Sequence, residues 1–210
     1  GKDTMLSQPI EPVAEHPDGY RDYPLSNAQR RLWVLDQLEE NLTAYNMPAA
    51  IRIESVLDAA ALERAFADLV NRHEILRTRF VAGEDGTPFQ LIDPISPFSL
   101  ACHDWRDKEP SALDGYVQAH ANQVFDLSEG NLLRAELLRV GKDDHILLLN
   151  MHHIVSDGWS MDILFRELSA LYEAAAKGQN NPLAAPRVQY KDYAAWQNRL
   201  LSDDGRMAEL

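Results

Sequence analysis

One apolar run, HILLLNMHH at residues 145–153, constrains the fold more than any other stretch of the chain. It follows LLRAELLRV after the short turn GKDD, and the two segments are therefore predicted to form a β-hairpin. Apolar residues occupy consecutive positions of the second segment, which indicates a strand that is buried on both faces. A strand of this kind needs other layers to cover it.

Helices and further strands are predicted on both sides of this hairpin. Ser26 and Gln29 form a capping box before one helix, and Asp58 is placed to cap the next. Additional helices are expected from Ser111, after the histidine pair and from Tyr190 onward. ILRTRFV and the segment after GEDGT predict a second hairpin. This order predicts an α/β fold, a two-layer sandwich with a mixed sheet.

Composition limits the class of protein and its partners. The chain has 210 residues, 45% hydrophobic and 25% charged, as in a soluble domain or a piece of a larger protein. A net charge of −13 argues against nucleic acid or an anionic membrane as the main partner. No apolar run approaches the roughly 20 residues that span a bilayer. The single cysteine, Cys102, cannot form an internal disulfide, which favours a cytoplasmic setting.

The two adjacent histidines at the end of the apolar run are predicted to point apart. In an extended strand His153 shares a face with Met151, whereas His152 shares the other face with Asn150. The pair cannot reach one metal ion without a bend, and no cysteine or further histidine stands at metal-site spacing, so a zinc site is disfavoured. His153, nearest the following turn, is the better candidate for an active group. The pattern alone leaves a packed histidine pair open.

Asp157 and Gly158 follow in that turn. Two roles are open to Asp157. It could orient His153 directly, as the acid of a catalytic triad does, or it could be buried and tie the turn to a distant arginine. Gly158 indicates a tight or positive-φ backbone position. A serine hydrolase is disfavoured because the chain contains no G-x-S-x-G motif.

Five stretches resemble, in order, the condensation domains of nonribosomal peptide synthetases. HHIVSDG matches their HHxxxDG motif, which acyltransferases of the chloramphenicol acetyltransferase type share. The other four are YPLSNAQRRLWVLDQL with AYNMP, RHEILRTRF, FDLSEGNLLRAEL and VQYKDYAAWQ. Asn131 stands where the family usually has proline. The resemblance covers about Tyr23 to Gln197.

The resemblance implies a chloramphenicol acetyltransferase-like lobe, one of two in a pseudo-dimer with the motif in a tunnel between them. Complete domains of this family are longer than this chain, which is therefore interpreted as an N-terminal half. Residues 1–20 are expected to be a linker and 21–180 the N-terminal lobe. Residues 181–210 are expected to be an inter-lobe linker and a helix leading to an absent C-terminal lobe.

The implied reaction is peptide bond formation between two thioesters. The α-amine of an acceptor aminoacyl thioester attacks the carbonyl of a donor thioester, each held on the phosphopantetheine of a carrier domain. Donor and acceptor carrier domains, neighbouring synthetase domains and the second lobe are the implied partners. No cofactor bound by this lobe is expected. Since a free α-amine has a pKa of about 7.7–8, it needs alignment more than a strong base. His153 is therefore expected to position the reactants by hydrogen bonding and to take a proton later.

The resemblance also assigns supporting roles. His152 is expected to serve structure, and Asp157 to hold the turn through an ion pair with an arginine of RHEILRTRF. Arg77, placed by the pattern on the strand ILRTRF, is the preferred partner, with Arg72 and Arg79 as alternatives. Gly158 is expected to leave space beside the substrate arm.

Three rival functions compete with condensation. Heterocyclisation domains carry aspartates where this chain has the two histidines, which nearly excludes that reaction. Epimerisation domains share HHxxxDG but usually differ from WSMDIL in the residues after its glycine. A non-catalytic carrier-docking or interface module is the remaining alternative, because the isolated polypeptide is expected to lack its second lobe.

Overall fold

The computed structural model describes residues 9–13, 22–95, 97–156 and 161–204. Its strands are Asp22–Pro24 (β1), Asn46–Ile53 (β2), Thr78–Ala82 (β3), Pro88–Ile92 (β4), Ala101–Asp104 (β5), Leu133–Gly141 (β6) and Asp144–His152 (β7). Its α-helices are Asn27–Leu38 (α1), Ala59–Arg72 (α2), Pro110–Ala121 (α3), Met161–Ala176 (α4) and Tyr190–Asp204 (α5). Single 3₁₀ turns span Glu74–Arg77 and His153–Val155.

The strands form two sheets. The larger has the order β2-β7-β6-β5, in which β5 runs parallel to β6 and the other neighbours are antiparallel. The smaller has the order β1-β4-β3 and is antiparallel throughout. Both predicted hairpins, β3–β4 and β6–β7, are present. The α/β class with a mixed sheet is therefore confirmed.

Helices cover both faces of the larger sheet. On one face α2 and α4 pack against alternate residues of β6 and β7, among them Leu149 and Met151. On the other face α3 packs near Trp105, Leu138 and Leu148. Strand β7 is buried from Leu147 to His152, as its uninterrupted apolar character predicts. The sequence predicts two layers, one of helices and one of strands. The structure adds α3, which covers part of the other face of the sheet.

Both predicted N-terminal caps are confirmed. The hydroxyl of Ser26 accepts a hydrogen bond from the Gln29 amide at 3.2 Å, and the Gln29 side chain accepts one from the Ser26 amide at 3.0 Å. Asp58 accepts from the amide of Ala61 at 3.1 Å. These bonds satisfy amides that the first turn of a helix otherwise leaves unpaired.

Helix α5 packs against β1 and the residues that lead into α1. Tyr190 and Ser26 share a hydrogen bond between their hydroxyl oxygens at 2.7 Å, and the Asn198 side chain donates to the Leu25 carbonyl at 2.8 Å. Lys191 forms a buried ion pair with Glu74, with 2.9 Å between Nζ and Oε1. The division of the chain at residue 180 stays a prediction.

The segment predicted as an N-terminal linker is described only between residues 9 and 13, where it has no regular secondary structure. The amide of Val13 donates to the buried carboxylate of Asp192 on α5 at 2.8 Å. Part of the segment therefore lies against the folded body. None of the helices in the described ranges has the length and apolar character needed to cross a membrane.

Candidate active site

His153 lies at the point where β7 gives way to a 3₁₀ turn. Its ring is exposed, whereas the next two residues, Ile154 and Val155, are completely buried. The amide of His153 donates to the Tyr45 carbonyl at 2.9 Å, which joins the turn to the residue before β2. The imidazole of His153 is therefore exposed, while its backbone is held by the bond to Tyr45 and by the buried residues that follow.

Ser156 closes the same turn. Its amide and its hydroxyl both donate to the carbonyl of His153, at 3.1 Å and 2.9 Å. Its Oγ also lies 3.3 Å from Nδ1 of His153. A serine hydroxyl group often donates to the carbonyl three residues earlier. Such a bond stabilises the turn and competes with continuation of the helix.

His152 is in the opposite situation. Its ring is 2% exposed, contacts the Phe125 ring edge-to-face, and accepts a hydrogen bond at Nδ1 from the amide of Ile154 at 3.0 Å. Burial, with a smaller effect of the neighbouring His153 charge, lowers the pKa of His152 to about 4. The ring is therefore neutral at pH 7 and one of its nitrogens is occupied, which supports the predicted structural role.

The predicted alternation of side chains holds up to the end of β7. Met151 faces the core under α2 and α4, whereas Asn150 faces α3 and donates to the carbonyls of His120 and Ala121 at 2.8 Å and 3.2 Å. His153 departs from the pattern because the strand ends before it. The two histidines are separated, but by the start of the turn rather than by the faces of one strand.

Asp157 and Gly158 lie outside the described residues, so the ion pair predicted for Asp157 stays a prediction. Arg77 lies in the 3₁₀ turn before β3, which corrects its expected place on the strand. The apolar pattern of ILRTRF fits a strand, but its first residues form a turn in which Ile75 and Leu76 are buried. The Arg77 guanidinium donates to the carbonyls of Asp93 at 2.8 Å and Asn71 at 3.3 Å.

Both alternative partners for Asp157 have carboxylates of their own. Arg72 donates from Nε to Glu167 at 2.7 Å, and Arg79 lies 3.0 Å from a carboxylate oxygen of Asp93. The choice of Arg77 as the partner of Asp157 stays a prediction.

Sequence reasoning missed a polar junction at residues 72–74. Glu167 of α4 accepts hydrogen bonds from Arg72 and from Nε2 of His73, at 2.7 Å and 2.9 Å, while Glu74 pairs with Lys191 of α5. Burial acts to raise the pKa of Glu167, but the hydrogen bonds from His73 and Arg72 outweigh it and lower that pKa. The signal was present, since Glu167 interrupts the apolar face of its helix.

Helix α1 contacts the His153 turn. The same helix carries three exposed apolar side chains, Val34, Leu35 and Leu38. Burial, and the charge of Asp126, raise the pKa of Asp36 on the same helix. No group of three or more His, Cys, Asp or Glu side chains in the described ranges is arranged to hold a metal ion. What the arrangement offers is a fixed imidazole that can accept a hydrogen bond or a proton.

Comparison with known sequences identifies relatives along nearly the whole chain. The family model described as "Condensation domain" matches residues 20–209. A linear gramicidin synthase protein of Brevibacillus parabrevis is 43% identical over 209 residues, which are 97% of this chain and 4% of the relative. Malpinin synthetase of Mortierella alpina is 42% identical over 186 residues, 87% of this chain and 2% of the relative.

Solved structures give the same fold. The X-domain in the complex of the X-domain and OxyB from teicoplanin biosynthesis matches with a TM-score of 0.83 and 32% identity, covering 95% of this chain and 42% of the solved one. The first condensation domain of the calcium-dependent antibiotic synthetase, in complex with a substrate analogue, matches with a TM-score of 0.77 and 25% identity, covering 90% and 46%. This chain therefore spans less than half of the solved chains and a small part of the curated relatives.

Proposed function

This chain belongs to the condensation domain family of nonribosomal peptide synthetases, and on that premise we propose that it contributes one lobe to the formation of a peptide bond. The acceptor is the α-amine of an aminoacyl thioester and the donor is an acyl or peptidyl thioester. Both are carried on the phosphopantetheine arms of carrier domains, which with neighbouring synthetase domains are the proposed partners. A cytoplasmic setting belongs to the same proposal.

The observation that carries the proposal is the contrast within the histidine pair. His153 presents an exposed imidazole on an anchored turn, while His152 is buried and its Nδ1 is occupied. Peptide bond formation joins the amine nitrogen to the thioester carbonyl carbon, breaks the carbon–sulfur bond and releases the donor arm as a thiolate, while the nitrogen loses a proton. One imidazole in a fixed position can align the amine by hydrogen bonding, accept that proton and pass it to the leaving thiolate.

Asp157, Gly158 and Arg77 are assigned supporting roles in this proposal. An ion pair between Asp157 and Arg77 would tie the turn to the segment before β3, and Gly158 would leave space for a substrate arm. Removal of Asp157 should then affect stability at least as much as rate, because an arginine would lose its partner. Asp157→Asn, compared with wild type by denaturation and by rate, distinguishes this role from a direct catalytic one. A stable but inactive variant would contradict the structural role.

We assign residues 21–180 to the N-terminal lobe, with 181–210 leading to a second lobe. The chain matches 42% and 46% of two solved relatives, which supports a complete domain of about twice its extent. We therefore propose that the isolated chain condenses carrier-bound substrates poorly and that adding the second lobe restores the reaction.

The experiment is a condensation assay with a loaded donor carrier and a loaded acceptor carrier, followed by mass spectrometry of the product thioester. The chain is assayed alone, fused to the second lobe of a relative, and as the same fusion without an acceptor amine. Product that requires both the second lobe and the amine supports the proposal. A fusion that binds both carriers and forms no product would contradict it.

A second function is favoured by one comparison. The X-domain match, at 32% identity, is a solved complex with OxyB, so this fold also takes part in association with another protein. The alternative proposal is that the chain binds a protein partner without condensing substrates. His153→Ala separates the two functions, because loss of the imidazole should slow condensation strongly and leave carrier binding, measured by calorimetry, unchanged.

A further inference from the structure

We propose that Ser156 is a positioning residue that fixes the orientation and tautomer of His153. The two side chains meet within one turn of chain, with 3.3 Å between Ser156 Oγ and His153 Nδ1. Ser156 is 6% exposed, so water has little access to its hydroxyl group. The contact therefore ties an exposed ring to a buried side chain of the same turn.

The single proton of the serine hydroxyl decides the arrangement. A hydroxyl group donates one hydrogen bond and accepts through two lone pairs. Ser156 Oγ lies 2.9 Å from the His153 carbonyl oxygen and 3.3 Å from Nδ1, so its proton goes to the closer acceptor. Toward the ring the oxygen then acts only as an acceptor. Nδ1 must carry the imidazole proton, and Nε2 keeps its lone pair.

His152 has the opposite tautomer for an equally local reason. The Ile154 amide donates to its Nδ1 at 3.0 Å, and the proton of the neutral ring must therefore be on Nε2. Adjacent histidines thus hold their protons on different nitrogens. One tautomer is set by a backbone amide and the other by a serine hydroxyl group.

The consequence for catalysis rests on the proposed function, whereas the tautomer itself does not. Nε2 is the ring nitrogen farther from the backbone, and it is the atom that an acceptor amine would meet. Without Ser156 the proton distributes between the two nitrogens, and part of the population presents an Nε2–H group that cannot accept a proton. Ser156 therefore keeps His153 in its accepting form before substrate arrives.

The test is nitrogen NMR of the chain labelled with ¹⁵N-histidine, at a pH where further base no longer changes the His153 signals. His153→Ala assigns those signals. In wild type, Nδ1 of His153 should give a protonated, pyrrole-type signal and Nε2 an unprotonated, pyridine-type signal. In Ser156→Ala the two signals should move toward each other, and Ser156→Thr, which keeps the hydroxyl group, should restore them.

Ser202→Ala is the matched control. Ser202 also donates to the carbonyl three residues earlier, that of Arg199 at 3.2 Å, but its described bond involves no histidine. It should leave the His153 signals unchanged. A wild-type His153 with its proton on Nε2, or Ser156→Ala with unchanged signals, would overturn the proposal without any need for activity.

The rate of condensation provides a separate comparison in the two-lobe fusion. Loss of one neutral hydrogen bond should lower kcat roughly fivefold in Ser156→Ala, with KM unchanged and with recovery in Ser156→Thr. If the fusion forms no product while the NMR signals change as expected, the positioning role stands and the proposed function fails. If product forms and Ser156→Ala is as fast as wild type, the positioning role has no catalytic consequence and the proposal is wrong in that respect.

Discussion

The junction at residues 72–74 and the turn at residues 153–156 use similar polar side chains in opposite ways. At the junction Arg72, His73 and Glu74 meet charged partners on α4 and α5. At the turn His153 is exposed, and its described side-chain bond is with a neighbouring serine. Both segments lie in stretches that resemble family motifs. One motif thus holds helices together, whereas the other presents an exposed imidazole.

His153→Ala should have the largest effect, and on rate alone. Loss of a group that accepts a proton or aligns an amine should slow condensation by about 10²- to 10⁴-fold in the two-lobe fusion. Stability should be unchanged because the ring is exposed. The rate is measured with loaded carriers and the stability by urea denaturation. His103→Ala, at a partly exposed histidine of β5, is the control. A similar loss of rate there would show that the effect is not specific to the His153 turn.

Lys191→Met should have the largest effect on stability. Glu74 would keep a carboxylate that is 11% exposed and lose its cation, which should lower the free energy of unfolding by about 3–5 kcal/mol. Adding Glu74→Gln should recover part of the loss. Arg52→Met, which breaks an exposed pair with Asp144, should change little. If Lys191→Met and Arg52→Met lowered the free energy of unfolding equally in urea denaturation, the junction would have no special role in stability.

His152, the last residue of β7, tests whether a residue beside the turn contributes to stability. Its pKa of about 4 lies below the ordinary value of 6.5, so the unfolded chain binds the proton more tightly. This contribution is complete above pH 6.5 and is lost as the pH falls toward 4, by about 2 kcal/mol between pH 7 and pH 5. His152→Asn, which retains an acceptor for the Ile154 amide, should lack that part of the pH dependence. If the free energy of unfolding fell by the same amount in both proteins between pH 7 and pH 5, the burial argument would be contradicted.

Asn131→Pro should have the smallest effect of the four. Asn131 has a φ of 53°, which proline cannot adopt, although the family usually has proline there. The carbonyl of the next residue, Leu132, accepts the His152 amide at 3.0 Å, so the strain reaches the base of the turn. A loss of more than about 1 kcal/mol is expected, with Asn131→Gly close to wild type. A proline variant as stable as wild type in thermal unfolding would show that the backbone here adapts.

The sequence predicted those features that depend on neighbouring residues. The capping box at Ser26, the cap at Asp58, both hairpins and the burial of β7 on both faces follow from local patterns. It also predicted that the two histidines separate. None of these predictions requires knowing which distant segment packs against the residues concerned.

Features that depend on distant partners could not be predicted in the same way. Glu167 and Lys191 carry charge at positions that only packing shows to be buried, and their partners are more than ninety positions away along the chain. The 3₁₀ turn that holds Arg77 replaces the first part of a segment with strand-like composition. Tertiary contacts decided these cases against local propensity.

The central place of β7 has a consequence for how this lobe folds. β7 can pair with β6 early, because only a short turn joins them, but its pairing with β2 joins residues about a hundred positions apart. The Asn46–His152 end of that pairing lies directly beside His153. Closing so long a loop is slow, and it leaves one edge of an apolar strand uncovered in the meantime. The His153 turn is therefore among the last parts of the chain to reach its final form, and refolding yield should depend on protein concentration.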